Sequence, residues 1–151
     1  GTFTLKREEV DIKILANDAI DRFSYIADKK SIELDYNINQ PCIISGDRLR
    51  LGQVITNLMS NAFKHAGENG KIIVDIKSLS DKVKITISNT GSLIPESELE
   101  NIWKSFYQVE TDSEGNGLGL TIVKSIVNLH NGKVRAYVEN DMNSFEVILP
   151  K

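Results

Sequence analysis

The chain has 151 residues, 40% of them hydrophobic and 26% charged, the proportions of one folded globular domain with room for a core. Its net charge of −3 and the lack of any long basic run argue against a nucleic-acid partner, since phosphate backbones demand clustered cations. The lone cysteine, Cys42, excludes an internal disulfide or a cysteine-rich zinc site and fits a reducing compartment, and no leader-like segment or bilayer-length apolar run is present.

Residues 2–11 set Phe3, Leu5 and Val10 among charges, with Ile12 just beyond, and predict a short edge strand. From Ile12 to about Asp28, Leu15, Ala16, Ala19, Ile20, Phe23, Ile26 and Ala27 keep helical spacing. Ser31 to Ile38 alternates like a strand, and Pro41 to Gly46 reads as a turn or short strand. Asp47 is the expected N-cap of a helix reaching about Ala66. On it Leu51, Val54, Ile55, Leu58, Met59 and Ala62 make an apolar face. Asn57, Asn61 and Lys64 fall at i, i+4 and i+7 in a polar stripe beside that face, and His65 sits where the two meet. Such a stripe would line the lip of a pocket, where amide oxygens can ligate a hard cation and a lysine can meet a phosphate. Taken alone, a solvated helix edge is the plainer reading.

Gly67 to Gly70 stops that helix. Lys71–Ser78 and Lys82–Ser88 alternate and join at Ser80-Asp81, a hairpin pattern. Val83, Ile85 and Ile87 share a face, and the same alternation turns Asn89 inward at the strand's end. An unpaired amide there costs about 1–3 kcal/mol unless the protein or a ligand supplies a partner. Pro95 opens a short helix, about Glu96 to Lys104, on which Trp103 reads as core. Phe106 to Gly115 lacks periodicity and reads as a mobile loop. A helix from Gly117 or Gly119 to about Asn131 follows, with Leu120, Val123, Ile126, Val127 and His130 as its buried stripe and Gly132 as its stop. His130 reads as structural, through capping and the helix dipole. Val134/Ala136/Val138 and Phe145/Val147/Leu149 are two last strands around a turn at Glu139–Asn143. This order predicts an α+β two-layer sandwich: a mixed sheet of about five strands with helices on one face, in a single domain over 1–151.

Gly115-Asn-Gly-Leu-Gly-Leu120 directly precedes a helix, where glycines allow close backbone approach and free N–H groups suit an anion. It follows an irregular loop rather than a strand, so it is not a dinucleotide fingerprint, and the P-loop spacing is absent. By itself it is an ordinary helix-start turn.

The order of four motifs is more specific: N-x-x-x-N-x-x-K-H at 57–65, a strand ending Asn89-Thr-Gly-Ser-Leu-Ile94, the aromatic stretch Trp103-Lys-Ser-Phe-Tyr107, and the glycine-rich turn at 115–120. Together with Asp47-Arg-Leu, His130-Asn-Gly132 and the closing Phe145…Leu149-Pro150, this resembles the catalytic, ATP-binding domain of bacterial sensor histidine kinases. That domain belongs to the ATPase/kinase superfamily shared with gyrase, MutL and heat-shock chaperones. The resemblance implies that Asn57 and Asn61 hold the Mg2+ bridging the phosphates of ATP, and that Lys64 contacts phosphate. It sets His65 against the nucleotide, Asn89 as acceptor for the adenine amino group, Gly91 and Ile94 beside the base, and Phe106 at the near end of a lid. Gly115, Gly117, Leu118, Gly119 and Leu120 would close over the phosphates.

The function so implied is phosphoryl transfer from Mg-ATP to a histidine on a dimerisation domain, then to a response-regulator aspartate. The hydrolase branch has Glu where Asn57 stands, and an amide is no general base, so slow hydrolysis is expected. The phosphoacceptor hairpin is expected to precede this segment, in a homodimeric membrane sensor of which this is a monomeric cytoplasmic part. Asn89 replaces the usual Asp, which predicts weaker adenine binding with selectivity kept. Leu93 replaces a usual second Gly. Gln108-Val-Glu110-Thr-Asp-Ser-Glu114 is short and acidic where the family's lid is longer and basic. Asn-x-Gly with the Trp…Phe-Tyr stretch is similar to Gram-positive sensors, including the vancomycin-resistance group. The competing expectations are a degenerate nucleotide-sensing or docking module and a stand-alone serine kinase or ATPase.

Overall fold

The computed structural model describes residues 4–104 and 119–151. β1 (Glu8–Asp11) leads into α1 (Ile12–Lys30), β2 (Glu33–Asn37), β3 (Ile43–Gly46) and α2 (Arg48–Ala66). The hairpin β4 (Lys71–Ser78) and β5 (Lys82–Asn89) follows, then two 3₁₀ turns, Glu96–Glu98 and Asn101–Trp103. α3 (Gly119–Leu129) and the hairpin β6 (Lys133–Glu139) and β7 (Met142–Pro150) complete the order. Five strands form one mixed sheet, β2-β4-β5-β7-β6, parallel between β2 and β4 and antiparallel elsewhere. Parallel neighbours need a crossover, which β3 and α2 supply. The sandwich expected from the sequence is the fold observed.

The alternating strands put Ile72, Val74 and Ile76, Val83, Ile85 and Ile87, and Phe145, Val147 and Leu149 into the core. They meet Leu51, Val54, Ile55, Leu58, Met59 and Ala62 of α2 and Val123, Ile126 and Val127 of α3. Each of these side chains larger than Ala62, fully buried, contributes about 1.5–3 kcal/mol. Among the described residues no helix is long and apolar enough to cross a membrane.

Local details depart from the sequence pattern. The first strand covers only Glu8–Asp11 and pairs with β3 in a separate ribbon instead of edging the main sheet. Asp11 Oδ1 closes that ribbon, accepting from Cys42 N at 2.9 Å while capping α1 through Lys13 N at 3.0 Å. The helix expected over Glu96–Lys104 is instead two 3₁₀ turns, bonded Glu98 N to Pro95 O at 2.8 Å and Lys104 N to Asn101 O at 2.9 Å. So short a segment cannot sustain an α-helix alone. It is anchored by buried Ile102 and by Trp103, edge-on to Phe145 at 6.1 Å. α3 ends at Leu129, short of the expected Asn131, and the left-handed residue that turns the chain is Asn131 at φ 60° rather than Gly132. A Cβ on Gly132 would lie 2.3 Å from Ile148 O, so that glycine lets the helix end press on β7. The β6–β7 turn is two residues, Asn140 and Asp141, with φ of 54° and 58°, as a tight hairpin of right-handed twist requires.

Candidate functional site

α2 is fixed at its N-terminal end by a closed set of hydrogen bonds. Asp47 Oδ1 accepts from Arg50 N at 3.1 Å and Oδ2 from Lys6 N at 3.0 Å. These N–H groups, that of Lys6 foremost, hold the Asp47 carboxyl below its ordinary pKa. Asp47 N donates to His130 Nε2 at 3.0 Å, and His130 Nδ1 lies 2.8 Å from Ile126 O. Since Asp47 N–H can only donate, Nε2 is the acceptor and Nδ1 carries the proton. His130 is therefore a structural residue, as its position near a helix end implied. It works as a neutral bridge between α3 and α2, not as a positive charge on the dipole.

Near the other end of α2 the polar groups are less complete. Asn57 donates through Nδ2 to Gly119 O at 3.3 Å, which joins α2 to the first residue of α3 and leaves the amide oxygen for another partner. One turn on, Asn61 Nδ2 is buried without a hydrogen-bond partner. Lys64 is exposed and His65 half-buried. β5 ends against this part of the helix. Thr90 Oγ1 accepts from Lys71 N at 2.8 Å and lies 3.4 Å from Ala66 O. Gly91 has φ of 117°, and a Cβ there would lie 2.0 Å from His65 O. The close approach that demands glycine at 91 is thus to the backbone of α2.

Asn89 is fully buried, its Nδ2 donating to Thr90 O at 2.6 Å while Oδ1 has no partner. Turning the amide over would set oxygen against oxygen, so the nitrogen's place is fixed and the oxygen is the atom left over. The bond also accounts for an amide here: a carboxylate would face the Thr90 carbonyl with no hydrogen to give it. Ile94 is half-buried against the core, and its N–H donates to Asn143 Oδ1 at 2.9 Å.

At the start of α3, a Cβ on Gly119 would meet no described residue within 4 Å. Leu120 is half-buried against the core, and Thr121 Oγ1 donates to Trp103 O at 3.1 Å. Phe106, Gly115, Gly117, Leu118 and the acidic stretch Gln108–Glu114 lie outside the described residues.

The structure thus brings Asn57 to Gly119, and Gly91 to His65, around the second half of α2. Among the described residues three buried side-chain polar atoms lack a partner, and two are Asn61 Nδ2 and Asn89 Oδ1. The third, Asp75 Oδ1, lies on the opposite face of the sheet. Such atoms are few in native proteins, and an acceptor and an amide left open beside one helix can receive a polar ligand. Thr90, Thr121 and Asn143 also shape the site without having stood out in the sequence. For Asn143 a signal was present: it precedes Phe145, Val147 and Leu149 at period two and so faces inward with them.

The family described as histidine kinase-, DNA gyrase B-, and HSP90-like ATPase matches residues 46–151. The probable sensor kinase SilS of Salmonella typhimurium is 39% identical over 113 residues, which cover 72% of this chain and 22% of that protein. This chain therefore corresponds to about a fifth of that relative's length. The catalytic domain of histidine kinase ThkA superposes with a TM-score of 0.89 at 30% identity, over 97% of this chain and 96% of that one. ThkA in complex with response regulator protein TrrA gives 0.86 at 29% identity, over 97% and 42%. Full-length ShkA in complex with AMPPNP gives 0.86 at 25% identity, over 99% and 32%. By sequence and fold together, this chain belongs to the histidine kinase-, DNA gyrase B- and HSP90-like ATPase family, and within it matches the catalytic ATP-binding domains of sensor histidine kinases.

Proposed function

We propose that the chain binds Mg-ATP among the second half of α2, the end of β5 and the start of α3. Within its parent it would donate the γ-phosphoryl to a histidine of a dimerisation domain, for relay to an aspartate of a response regulator. The observation that carries this reading is Asn89 Oδ1, a fully buried acceptor with no partner, suited to the amino group of adenine. Full-length ShkA with AMPPNP and ThkA with TrrA support the nucleotide and the regulator.

The donor set fits magnesium. Asn57 offers an amide oxygen, and turning over the Asn61 amide, whose buried nitrogen has no partner, would bring its oxygen inward. Among the described residues no group of three His, Cys, Asp or Glu could hold a metal, so phosphate oxygens would complete the shell. The ion supplies charge neutralisation on the phosphates. Lys64 and the N-terminal turn of α3, with Gly119 and Leu120, would add positive potential. Phe106, Gly115, Gly117 and Leu118 keep their proposed places at the lid. No residue matching the hydrolase Glu stands at 57, so the phosphoryl group is kept for transfer. His130, with both ring nitrogens engaged, is no phosphoacceptor. The parent is a homodimeric membrane sensor, and this segment its cytoplasmic, monomeric part.

The test is incubation of the chain with labelled Mg-ATP and the dimerisation hairpin of its own parent. Acid-labile label on the hairpin, with little phosphate released by the chain alone, is the expected result. Rapid phosphate release without the hairpin would make the chain an ATPase. ATP binding without transfer would make it a nucleotide-sensing module.

A further inference from the structure

The inner face of the β5–β7 ladder runs as apolar pairs, Val83 with Leu149, Ile85 with Val147 and Ile87 with Phe145, then changes to Asn89 with Asn143. Residues directly opposite on antiparallel strands point to the same face, so the two amides stand side by side where the core ends. Their bonding is unlike. Asn143, 2% exposed, uses both amide atoms on one loop: Oδ1 accepts from Ile94 N at 2.9 Å and Nδ2 donates to Ser92 O at 3.0 Å. Asn89 keeps its oxygen unused. The clamped segment, Thr90 to Pro95, carries neither helix nor strand, and Leu93 at its tip is 44% exposed.

We propose that Asn143 is a positioning residue that sets which nucleobase the pocket accepts, by holding Ser92–Ile94 as a fixed wall beside Asn89. This rests on the nucleotide reading of the site and adds to it how the base is selected. With the clamp in place, the polar main-chain atoms of the wall, Ile94 N–H and Ser92 C=O, are occupied. Asn89 Oδ1 then stands as an open acceptor, which suits a 6-amino purine and leaves the oxygen of a 6-oxo purine facing an oxygen. Without the clamp, Ile94 N–H becomes a free donor able to meet that 6-oxo group. Loss of Asn143 therefore weakens adenine binding and at the same time relaxes the bias against guanine.

The experiment is calorimetric titration of the chain, Asn143→Leu and Asn143→Asp with ATP, ADP and GTP, alongside thermal melting. Asn143→Leu removes both bonds, while Asn143→Asp keeps the acceptor for Ile94 N–H and guards against a variant that does not fold. About a tenfold loss of ATP affinity is expected in Asn143→Leu and a smaller loss in Asn143→Asp. The ATP-to-GTP ratio falls in the same order, and the ATP-to-ADP ratio, which reports the phosphate end, stays constant. A residue of merely structural importance would weaken ATP and GTP alike. An unchanged ATP-to-GTP ratio in folded variants of a chain that binds ATP overturns this inference alone. A wild-type chain that binds neither nucleotide overturns the pocket reading and this inference with it.

Discussion

The two ends of α2 treat buried polar groups in opposite ways. At the N-terminal end Asp47 and His130 use their hydrogen-bonding atoms on Lys6, Arg50, Ile126 and each other. Toward the C-terminal end Asn61 Nδ2 and Asn89 Oδ1 are buried and unpaired. Leaving such an atom without a partner costs about 1–3 kcal/mol, which the first end avoids and the second accepts. The difference teaches that one end is completed by the fold, while the other leaves the polar atoms that the proposed function gives to a ligand.

Breaking the closed end should have the largest effect. His130→Ala leaves Asp47 N–H without its partner, takes from Ile126 C=O one of its two bonds and opens a cavity, so about 3 kcal/mol of stability should be lost in urea unfolding. The open end should respond in the reverse sense. Asn61→Ala removes an unpaired nitrogen, so its melting temperature should hold or rise. Its ATP affinity should lose the magnesium-dependent part, about tenfold, in titrations with and without the ion. Asn89→Asp should show both effects at once. It offers adenine a charged acceptor, which tightens ATP a few-fold, but it sets a carboxylate against Thr90 O and should lower stability by about 1 kcal/mol. The smallest effect concerns pH. The Asp47 carboxyl is depressed in the folded chain, so its stabilisation is full above the ordinary carboxylate range and is lost as pH falls through the folded value. Asp47→Asn should cost about 1 kcal/mol at neutral pH, and the gap to wild type should close below about pH 4.

What was legible in the sequence follows the same division. Period 3.6 gave α2 its buried face and the stripe of Asn57 and Asn61, and period two turned Asn89 inward, because local spacing alone decides which way a side chain points. Contacts between distant segments were not legible. His130 and Asp47 meet across 83 residues, and Asn143 reaches Ser92 across 51. Nothing in the spacing of Glu8–Asp11 says that it pairs with β3 rather than with the main sheet. The close contact of Gly91 with His65 O likewise depends on where β5 ends against α2. The roles given to Asn57, Asn61 and Lys64 came from the family resemblance, since a polar stripe alone fits a solvated helix edge equally well.

The most direct measurement is calorimetric titration, with magnesium, of the wild-type chain and Asn89→Leu against ATP and against purine riboside triphosphate, which lacks the 6-amino group. If Asn89 Oδ1 awaits that group, wild type should prefer ATP by about tenfold and Asn89→Leu should bind both ligands alike. Equal binding of the two by wild type, or a preference that survives in Asn89→Leu, would contradict the claim that a ligand completes the open end of α2 at this atom.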